Sequence, residues 1–240
     1  GESDERDLFP ETLRLVKTLR PKAVMIENVR GLLHAKFDAY RQQISETLSS
    51  LGYTVCMWTV LEARDFGVPQ LRPRAILVAL KGRYAPYFDP APLRKARARH
   101  VTVFEALEKS MRERFEASGR EGAEEAYERW AEAARKGVAP TLVGGSKKHG
   151  GADLGPTRAK REWRMLGVDA MGVADDPMVN PDRDLFATDK LGNPIGPKLT
   201  VKQAAIIQGF PEDWLFAGRK TAAYRQVGNA FPPPVAKALG

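Results

Sequence analysis

The first third of the chain alternates between helical and strand-like patterns of apolar residues. Between Pro10 and Pro21 the apolar residues share one helical face, and from Phe37 to Leu51 they recur at helical spacing up to Gly52, a predicted helix end. Three short apolar runs predict strands: 23–26, 53–61 and 75–80. This order of elements predicts an α/β fold whose mostly parallel, covered sheet ends in an antiparallel pair.

The middle and the end of the chain follow different patterns. A highly charged helical stretch occupies 102–136, and its charge pattern favours a solvated helix pair. Residues 141–165 are rich in glycine and basic side chains, whereas 166–198 show little periodicity. Order returns at Thr200, a candidate N-cap of a helix that stops at Gly209, and a run of prolines then opens a last helix.

The overall charge favours a polyanionic partner without proving one. Lys and Arg number 38 against 30 Asp and Glu, which gives a net charge of +8. No apolar run approaches the roughly 18 residues that a membrane-spanning helix needs, so no membrane partner is expected. The single cysteine, Cys56, excludes an intrachain disulfide and a zinc site built on a cysteine pair, and a reducing, cytoplasmic setting fits best.

Three polar residues in "PQLRPRAIL" form a candidate binding group. Gln70, Arg72 and Arg74 are spaced two residues apart, so their side chains would lie on one face of a strand. Two guanidinium groups and an amide on one face suit a phosphate or a base edge. The alternative is an exposed polar strand face, which this stretch alone favours.

The stretch "AVMIENVRGL" places a carboxylate directly after an apolar run. The predicted strand 23–26 is followed at once by Glu27 and Asn28. In open α/β sheets ligands bind at the carboxyl ends of the strands, where Glu27 would act as a catalytic acid. An exposed loop glutamate is the equal alternative from this stretch alone.

The basic segment 141–165 is a candidate contact for the DNA backbone. Its spacing does not match a nucleotide-binding P-loop, and a flexible, solvated loop is the alternative. The basic candidates of the segment 141–165 are Lys147, Lys148, His149, Arg158, Lys160 and Arg161.

Cys56 lies in a predicted strand without a nearby basic group, which favours a structural role over a nucleophilic one.

Four stretches of the chain occur in a characteristic order: "IENVRGLL", "DFGVPQLRPRAILVAL", "LTVKQAAIIQGFPEDW" and "YRQVGNAFPPPVAKALG". They resemble successive motifs of the DNA (cytosine-5) methyltransferases. The first resembles that family's Glu-Asn-Val motif, the second its Gln-x-Arg-x-Arg motif, and the others its last two motifs. The resemblance implies part of a Rossmann-like methyltransferase sheet with helices, together with a smaller, irregular target-recognition domain.

The resemblance implies methylation of cytosine C5 in double-stranded DNA, as in restriction–modification, with S-adenosylmethionine as the methyl donor. In that family a cysteine thiolate adds to C6 of a flipped-out cytosine. Glu27 matches the glutamate that binds or protonates cytosine N3, and Arg74 matches the arginine that holds the base carbonyl. Arg72 and Gln70 would support DNA and local structure. The residues that match the cofactor site are Leu8, Gly228, Asn229 and Ala230.

The chain also departs from that family pattern. The Pro-Cys motif that carries the nucleophile and the Gly-rich cofactor loop have no counterpart in the sequence, and Cys56 falls in a later strand of the pattern. The chain is therefore expected to be the C-terminal part of a split or truncated methyltransferase that needs an N-terminal partner chain or segment. Two alternatives stay open: a sequence-specific DNA-binding module without catalysis, and a remnant that folds poorly.

The same resemblance implies a division into domains. Residues 1–100 would form the C-terminal half of the catalytic domain, and 101–198 the target-recognition domain. Residues 199–240, with the last two motifs, would return to the catalytic domain. The DNA sequence that is recognised would then depend on the side chains of 141–198.

Overall fold

The computed structural model of the protein describes residues 7–145, 151–174 and 179–240. These residues form two compact units. The first unit comprises the described residues up to Glu62 together with Pro73–Lys95. The second unit comprises Ala63–Arg72 and the described part of Ala96–Gly240. The boundaries of these compact units therefore differ from the domain boundaries that the resemblance implies.

Three strands form one sheet in the described part of the first unit: β1 (Ala23–Val29), β2 (Tyr53–Glu62) and β3 (Pro73–Lys81). β3 lies in the centre, and both neighbours pair with it in the antiparallel direction. The prediction of a mostly parallel sheet is wrong for these strands, because the last strand in the sequence inserts between the first two. β1 also extends to Val29, so Glu27 lies within the strand rather than just after it.

The described part of the first unit also contains helices α1 (Phe9–Leu19) and α2 (Asp38–Ser50) and the short α3 (Ala91–Lys95). Pro10 occupies the first turn of α1, where a missing N–H leaves no helical hydrogen bond unmade. Gly52 adopts a left-handed conformation, with a φ of 79°, just after α2. One core joins α1 and α2 to the sheet. Its buried members include Val16, Val24, Ile44, Leu48, Leu77 and Ala79.

Seven α-helices occur in the described part of the second unit: α4 (Val103–Ala117), α5 (Ala123–Ala134), α6 (Thr157–Met165), α7 (Pro181–Leu185), α8 (Val201–Gln208), α9 (Lys220–Asn229) and α10 (Pro233–Leu239). All of them except α10 contribute to a core that contains several large aromatic side chains. Trp130 of α5, Trp163 of α6 and Tyr224 of α9 are buried in it. The charged stretch 102–136 is a helix pair, as predicted, but each helix buries one apolar face rather than being solvated all round.

Capping boxes fix the first turns of α4 and α8. Thr102 and Glu105 exchange side-chain and backbone hydrogen bonds at α4, and Thr200 and Gln203 do the same at α8. α8 ends at Gly209, which has a φ of 88°, as the sequence predicts. Among the described residues, no helix combines the length and the apolar character that crossing a membrane requires.

Candidate active site and nucleic-acid interface

Glu27 and Arg74 form an ion pair across the sheet of the first unit. Glu27 on β1 lies opposite Ile76 on β3, and Arg74 is two residues from Ile76, so both charged side chains project from the same face. The distance between Arg74 Nε and Glu27 Oε1 is 2.6 Å. The Glu27 side chain is 32% exposed and that of Arg74 13%. The carboxylate is therefore partly open to solvent, while its cationic partner is mostly covered.

Arg74 is held from two sides. Its Nη1 donates a hydrogen bond to the backbone oxygen of Pro73 at 2.9 Å, and its Nε forms the ion pair with Glu27. Burial lowers the pKa of Arg74, and the charges of Glu27 and Glu62 oppose that shift. An arginine nevertheless stays protonated in proteins. A fixed cation is therefore present on this face of the sheet.

An open cleft of about 460 Å³ lies beside Glu27 in the first unit. The start of α1 supplies Leu8 and Phe9 to its wall, and β1 supplies Ile26, Glu27 and Asn28. Leu8 is 70% exposed. The cleft thus brings two predicted site residues, Leu8 and Glu27, together and combines an apolar wall with a carboxylate.

The sequence patterns do not predict two further residues of this cleft, Asp7 and Tyr40. Asp7 Oδ1 accepts a hydrogen bond from the backbone N–H of Phe9 at 3.0 Å, and its Oδ2 accepts one from the hydroxyl of Tyr40. The rings of Phe9 and Tyr40 meet edge to face, with centroids 5.8 Å apart. An acidic residue just before a proline-marked helix start is the signal that could have found Asp7. No local signal marks Tyr40.

Gln70 and Arg72 do not share a strand face with Arg74. β3 begins at Pro73, and the two residues lie before it, in the second unit. Gln70 is 0% exposed and Arg72 2%. Their burial contradicts the expectation that these side chains bind DNA, because neither can reach a ligand in solution.

Arg72 instead connects two backbone segments of the second unit, one at Leu142 and one at the end of α9. Its Nη1 donates to the backbone oxygen of Leu142 at 2.6 Å. Its Nη2 donates to the backbone oxygens of Gly228 and Ala230 at 2.9 and 3.0 Å. The Oε1 atom of Gln70 accepts a hydrogen bond from the N–H of Leu142 at 2.7 Å. A buried guanidinium that satisfies several carbonyl groups fixes the backbone around the end of α9.

The end of α9 packs closely against the segment that follows Leu142. A Cβ atom on Gly228 would lie 2.4 Å from the carbonyl oxygen of Val143, and a Cβ atom on Gly144 would lie 2.3 Å from Oδ1 of Asn229. This approach therefore depends on glycine at both positions. Asn229 and Ala230, the predicted cofactor contacts of this unit, thus lie at a helix end that hydrogen bonds and close packing hold in place.

The basic residues of α6 are of two kinds. Lys160 pairs with Asp153 at 2.8 Å, and both side chains are largely covered. Arg158 pairs with its helix neighbour Glu162, at 3.0 Å, and is almost fully exposed. Arg161 is also exposed. Arg158 and Arg161 therefore present cations to solvent, whereas Lys160 is held within the unit.

The remaining basic candidates, Lys147, Lys148 and His149, lie outside the described residues. Their role as DNA contacts stays a prediction from the sequence. Within the described part of the basic segment, exposed cations are carried by α6.

The family comparison covers the whole chain. The model for C-5 cytosine-specific DNA methylases matches residues 1–240. The chain belongs to the C-5 cytosine-specific DNA methylase family. The resemblance drawn from four motifs is thereby confirmed.

Curated methylases of this kind resemble the chain over nearly its full length. The Type II methyltransferase M.NaeI of Lentzea aerocolonigenes is 53% identical over 242 residues, which cover 100% of this chain and 53% of that protein. M.NgoMIV of Neisseria gonorrhoeae is 43% identical over 244 residues, covering 100% of this chain and 70% of that protein. The chain thus spans about half of the first relative and seven tenths of the second.

Solved methyltransferase structures share the fold. A DNA modification methyltransferase encoded within an E. coli prophage matches with a TM-score of 0.56 and 19% identity, covering 100% of this chain and 74% of that one. The S. pombe Dnmt2 methyltransferase matches with a TM-score of 0.53 and 16% identity, covering 96% of this chain and 70% of that one. At these identities the likeness shows the fold alone, and it confirms the predicted α/β methyltransferase fold.

Proposed function

We propose that the chain is the C-terminal part of an enzyme that methylates cytosine C5 in double-stranded DNA. The observation that carries this proposal is the Glu27–Arg74 pair, which stands on one face of the sheet in a chain of the C-5 cytosine-specific DNA methylase family. Glu27 also lines an open cleft that holds a predicted cofactor contact. An enzyme that acts on cellular DNA would work in the cytoplasm.

The ion pair suits the Watson–Crick edge of cytosine. That edge presents two neighbouring acceptors, N3 and O2. Glu27, when protonated, would donate a hydrogen bond or its proton to N3, and Arg74 would donate an N–H to O2. Both contacts draw electron density away from C6, where a cysteine thiolate of the N-terminal part would add. The base must leave the duplex to reach such groups.

The chain has residues that fit one part of a site for S-adenosylmethionine. Leu8 and Phe9 offer an apolar wall of the first-unit cleft, against which an adenine ring would pack. Asn229 and Ala230, at the end of α9, are the proposed cofactor contacts of the second unit. S-adenosylmethionine would supply the methyl group that C5 receives.

An N-terminal methyltransferase chain or segment would complete this enzyme. The sequence has no Pro-Cys motif to provide the nucleophile, and the chain spans 53% of its Lentzea relative. Within the described residues β1 is an edge strand, on which Met25 is 51% exposed and Val29 59%. An edge strand with exposed apolar residues favours pairing with a further strand. The isolated chain would accordingly be inactive.

Different segments of the chain would have different roles in the proposed enzyme. Residues 1–100 and 199–240 would serve catalysis, and 101–198 would recognise the target sequence. Arg158 and Arg161, two exposed cations of α6, would neutralise phosphates of the DNA backbone. Phosphate contacts of this kind position the protein without reading sequence.

Complementation tests this function. The chain is mixed with the N-terminal part of the Lentzea relative, and transfer of tritiated methyl groups from S-adenosylmethionine to double-stranded DNA is measured. We expect 5-methylcytosine to form only when both parts and DNA are present. Absence of methyl transfer from the mixed parts, when each is folded and they bind each other, would overturn the proposal.

A DNA-binding module without catalysis is the second candidate, favoured by the exposed cations of α6. Such a module would bind a preferred duplex sequence. Its affinity would fall steeply with salt concentration and would not depend on S-adenosylmethionine. Tight, sequence-selective binding without methyl transfer in the mixed sample would support this candidate. Restored methyl transfer would exclude it.

A further inference from the structure

A second cavity, of about 310 Å³, lies within the second unit. None of the residues proposed above for catalysis, cofactor or DNA lines it. Its walls come from α7, from the segment just before α8, from the start of α9, and from Ala152 and residues 171–173. Its polar lining residues are Asn180, Arg183, Asp184, Lys198, Lys220 and Thr221.

One cation of this cavity is rigidly placed. Lys198 Nζ lies 3.0 Å from Asp184 Oδ1, and the two side chains are only 13% and 10% exposed. The backbone N–H of Lys198 also donates to the backbone oxygen of Asp184 at 2.7 Å. Two links between the same residues fix the ammonium group in the cavity wall.

The two acidic groups of α7 are already paired. Asp184 is neutralised by Lys198, and Asp182, the other acid of α7, pairs with Arg120. Arg183 lies between these two acids in the sequence, is exposed, and forms no ion pair with any residue that the structure describes. Lys220 adds a third cation to the wall. Among the residues that the structure describes, the lining of the cavity thus contains three cations and one carboxylate.

We propose that this cavity binds a backbone phosphate of double-stranded DNA. A phosphate offers several anionic oxygens that accept hydrogen bonds from ammonium and guanidinium groups, and the Thr221 hydroxyl adds a neutral donor. A metal cation would be repelled by this set of charges. An apolar ligand would leave the polar groups without partners.

DNA is the favoured source of this phosphate for two reasons. The cavity is open and larger than a single phosphate group, so the adjoining sugar has room. The cavity also belongs to the same compact unit as α6, whose exposed cations are proposed to meet the DNA backbone. This inference rests on the proposed function, since it is the family of the chain that indicates DNA as the ligand. Free phosphate shares the same chemistry and is separated from DNA by the test.

The test measures the salt dependence of duplex binding by the full chain. Wild type is compared with Arg183→Gln and Lys220→Gln, and Lys136→Gln serves as the matched control, because Lys136 is an exposed lysine that pairs with Glu132. Thermal melts establish that each variant is folded. We expect each cavity variant to bind duplex several-fold more weakly and the slope of log affinity against log salt to fall by about one, as loss of one phosphate contact requires. The control should keep the wild-type slope.

A second measurement keeps the inference separable from the proposed function. Inorganic phosphate is titrated into the labelled chain, and the amide resonances of Lys220 and Thr221 are followed by NMR. Shifts in wild type that are lost in Arg183→Gln support an anion site even if the chain binds no DNA, in which case the proposed function alone fails. Phosphate shifts with unchanged duplex slopes would overturn the DNA assignment, and no shift with unchanged slopes would overturn the site altogether.

Discussion

The Nε atom of Arg74 lies 2.6 Å from Oε1 of Glu27, across two antiparallel strands and diagonally to the pair formed by Glu27 and Ile76. This position places an acid and a cation on one sheet face, with the acid more exposed than the cation. The pair uses one carboxylate oxygen and the Nε edge of the guanidinium. A protonated Glu27 and the remaining N–H groups of Arg74 can then donate side by side to N3 and O2 of a planar cytosine, as the proposed chemistry needs.

Arg72 is predicted to act on stability rather than on DNA. Arg72→Ala leaves the backbone oxygens of Leu142, Gly228 and Ala230 without a buried donor. Loss of several hydrogen bonds to a charged group should lower the free energy of unfolding by about 3 kcal/mol. For a protein of this size that corresponds to a fall in Tm of about 6–12 °C.

Thermal denaturation followed by circular dichroism checks this prediction. Arg158→Ala is the matched control, since Arg158 is almost fully exposed and should change stability by less than about 0.5 kcal/mol. A folded Arg72→Ala protein with the wild-type Tm would show that the buried network does not stabilise the unit.

Gly228 is predicted to tolerate no side chain. Gly228→Ala places a Cβ atom 2.4 Å from the carbonyl oxygen of Val143, so the backbone must shift, at a cost of about 1–3 kcal/mol. Urea denaturation should show a lower midpoint for this variant. Gly137→Ala is the control, because no described atom lies within 4 Å of its added Cβ. Equal midpoints for the two variants would contradict the close approach of the two segments.

The exposed cations of α6 are predicted to contribute to DNA affinity through charge. Arg158→Ala and Arg161→Ala should each reduce the slope of log affinity against log salt by about one. Lys160→Ala should instead destabilise the fold, because it leaves the carboxylate of Asp153 without its cation. Fluorescence anisotropy with a labelled duplex measures the slopes. Unchanged slopes in both arginine variants would remove α6 from the DNA interface.

Local sequence signals predicted the helix ends well. Pro10 marks the first turn of α1, Thr200 caps α8, and Gly52 and Gly209 follow helices with positive φ angles. Each of these rules depends on neighbours within a few residues, so the sequence alone carries it. The candidate pair of Glu27 and Arg74 could also be predicted from the sequence, because the motif resemblance assigned both residues to one site.

Long-range packing explains what the sequence did not predict. The apolar runs mark strands but do not encode that β3 inserts between β1 and β2, so the direction of pairing was missed. The alternation of Gln70 and Arg72 is typical of an exposed strand face. Their burial depends on partners as distant as Gly228, which lies 156 residues from Arg72 in the sequence. The position of Tyr40 in the cleft also depends on a distant partner, because its hydroxyl donates a hydrogen bond to Asp7, 33 residues away in the sequence.

Methyl transfer by the Glu27→Gln variant tests the central claim most directly. The variant and the control Glu46→Gln, an exposed glutamate of α2, are each combined with the N-terminal part, and the rate of 5-methylcytosine formation is measured beside the affinity for duplex DNA. The amide keeps the shape of the carboxylate but cannot donate a proton to N3, so the rate should fall about 100-fold or more while DNA affinity stays at the wild-type level. A Glu27→Gln enzyme as fast as the Glu46→Gln control would contradict a catalytic role for the pair.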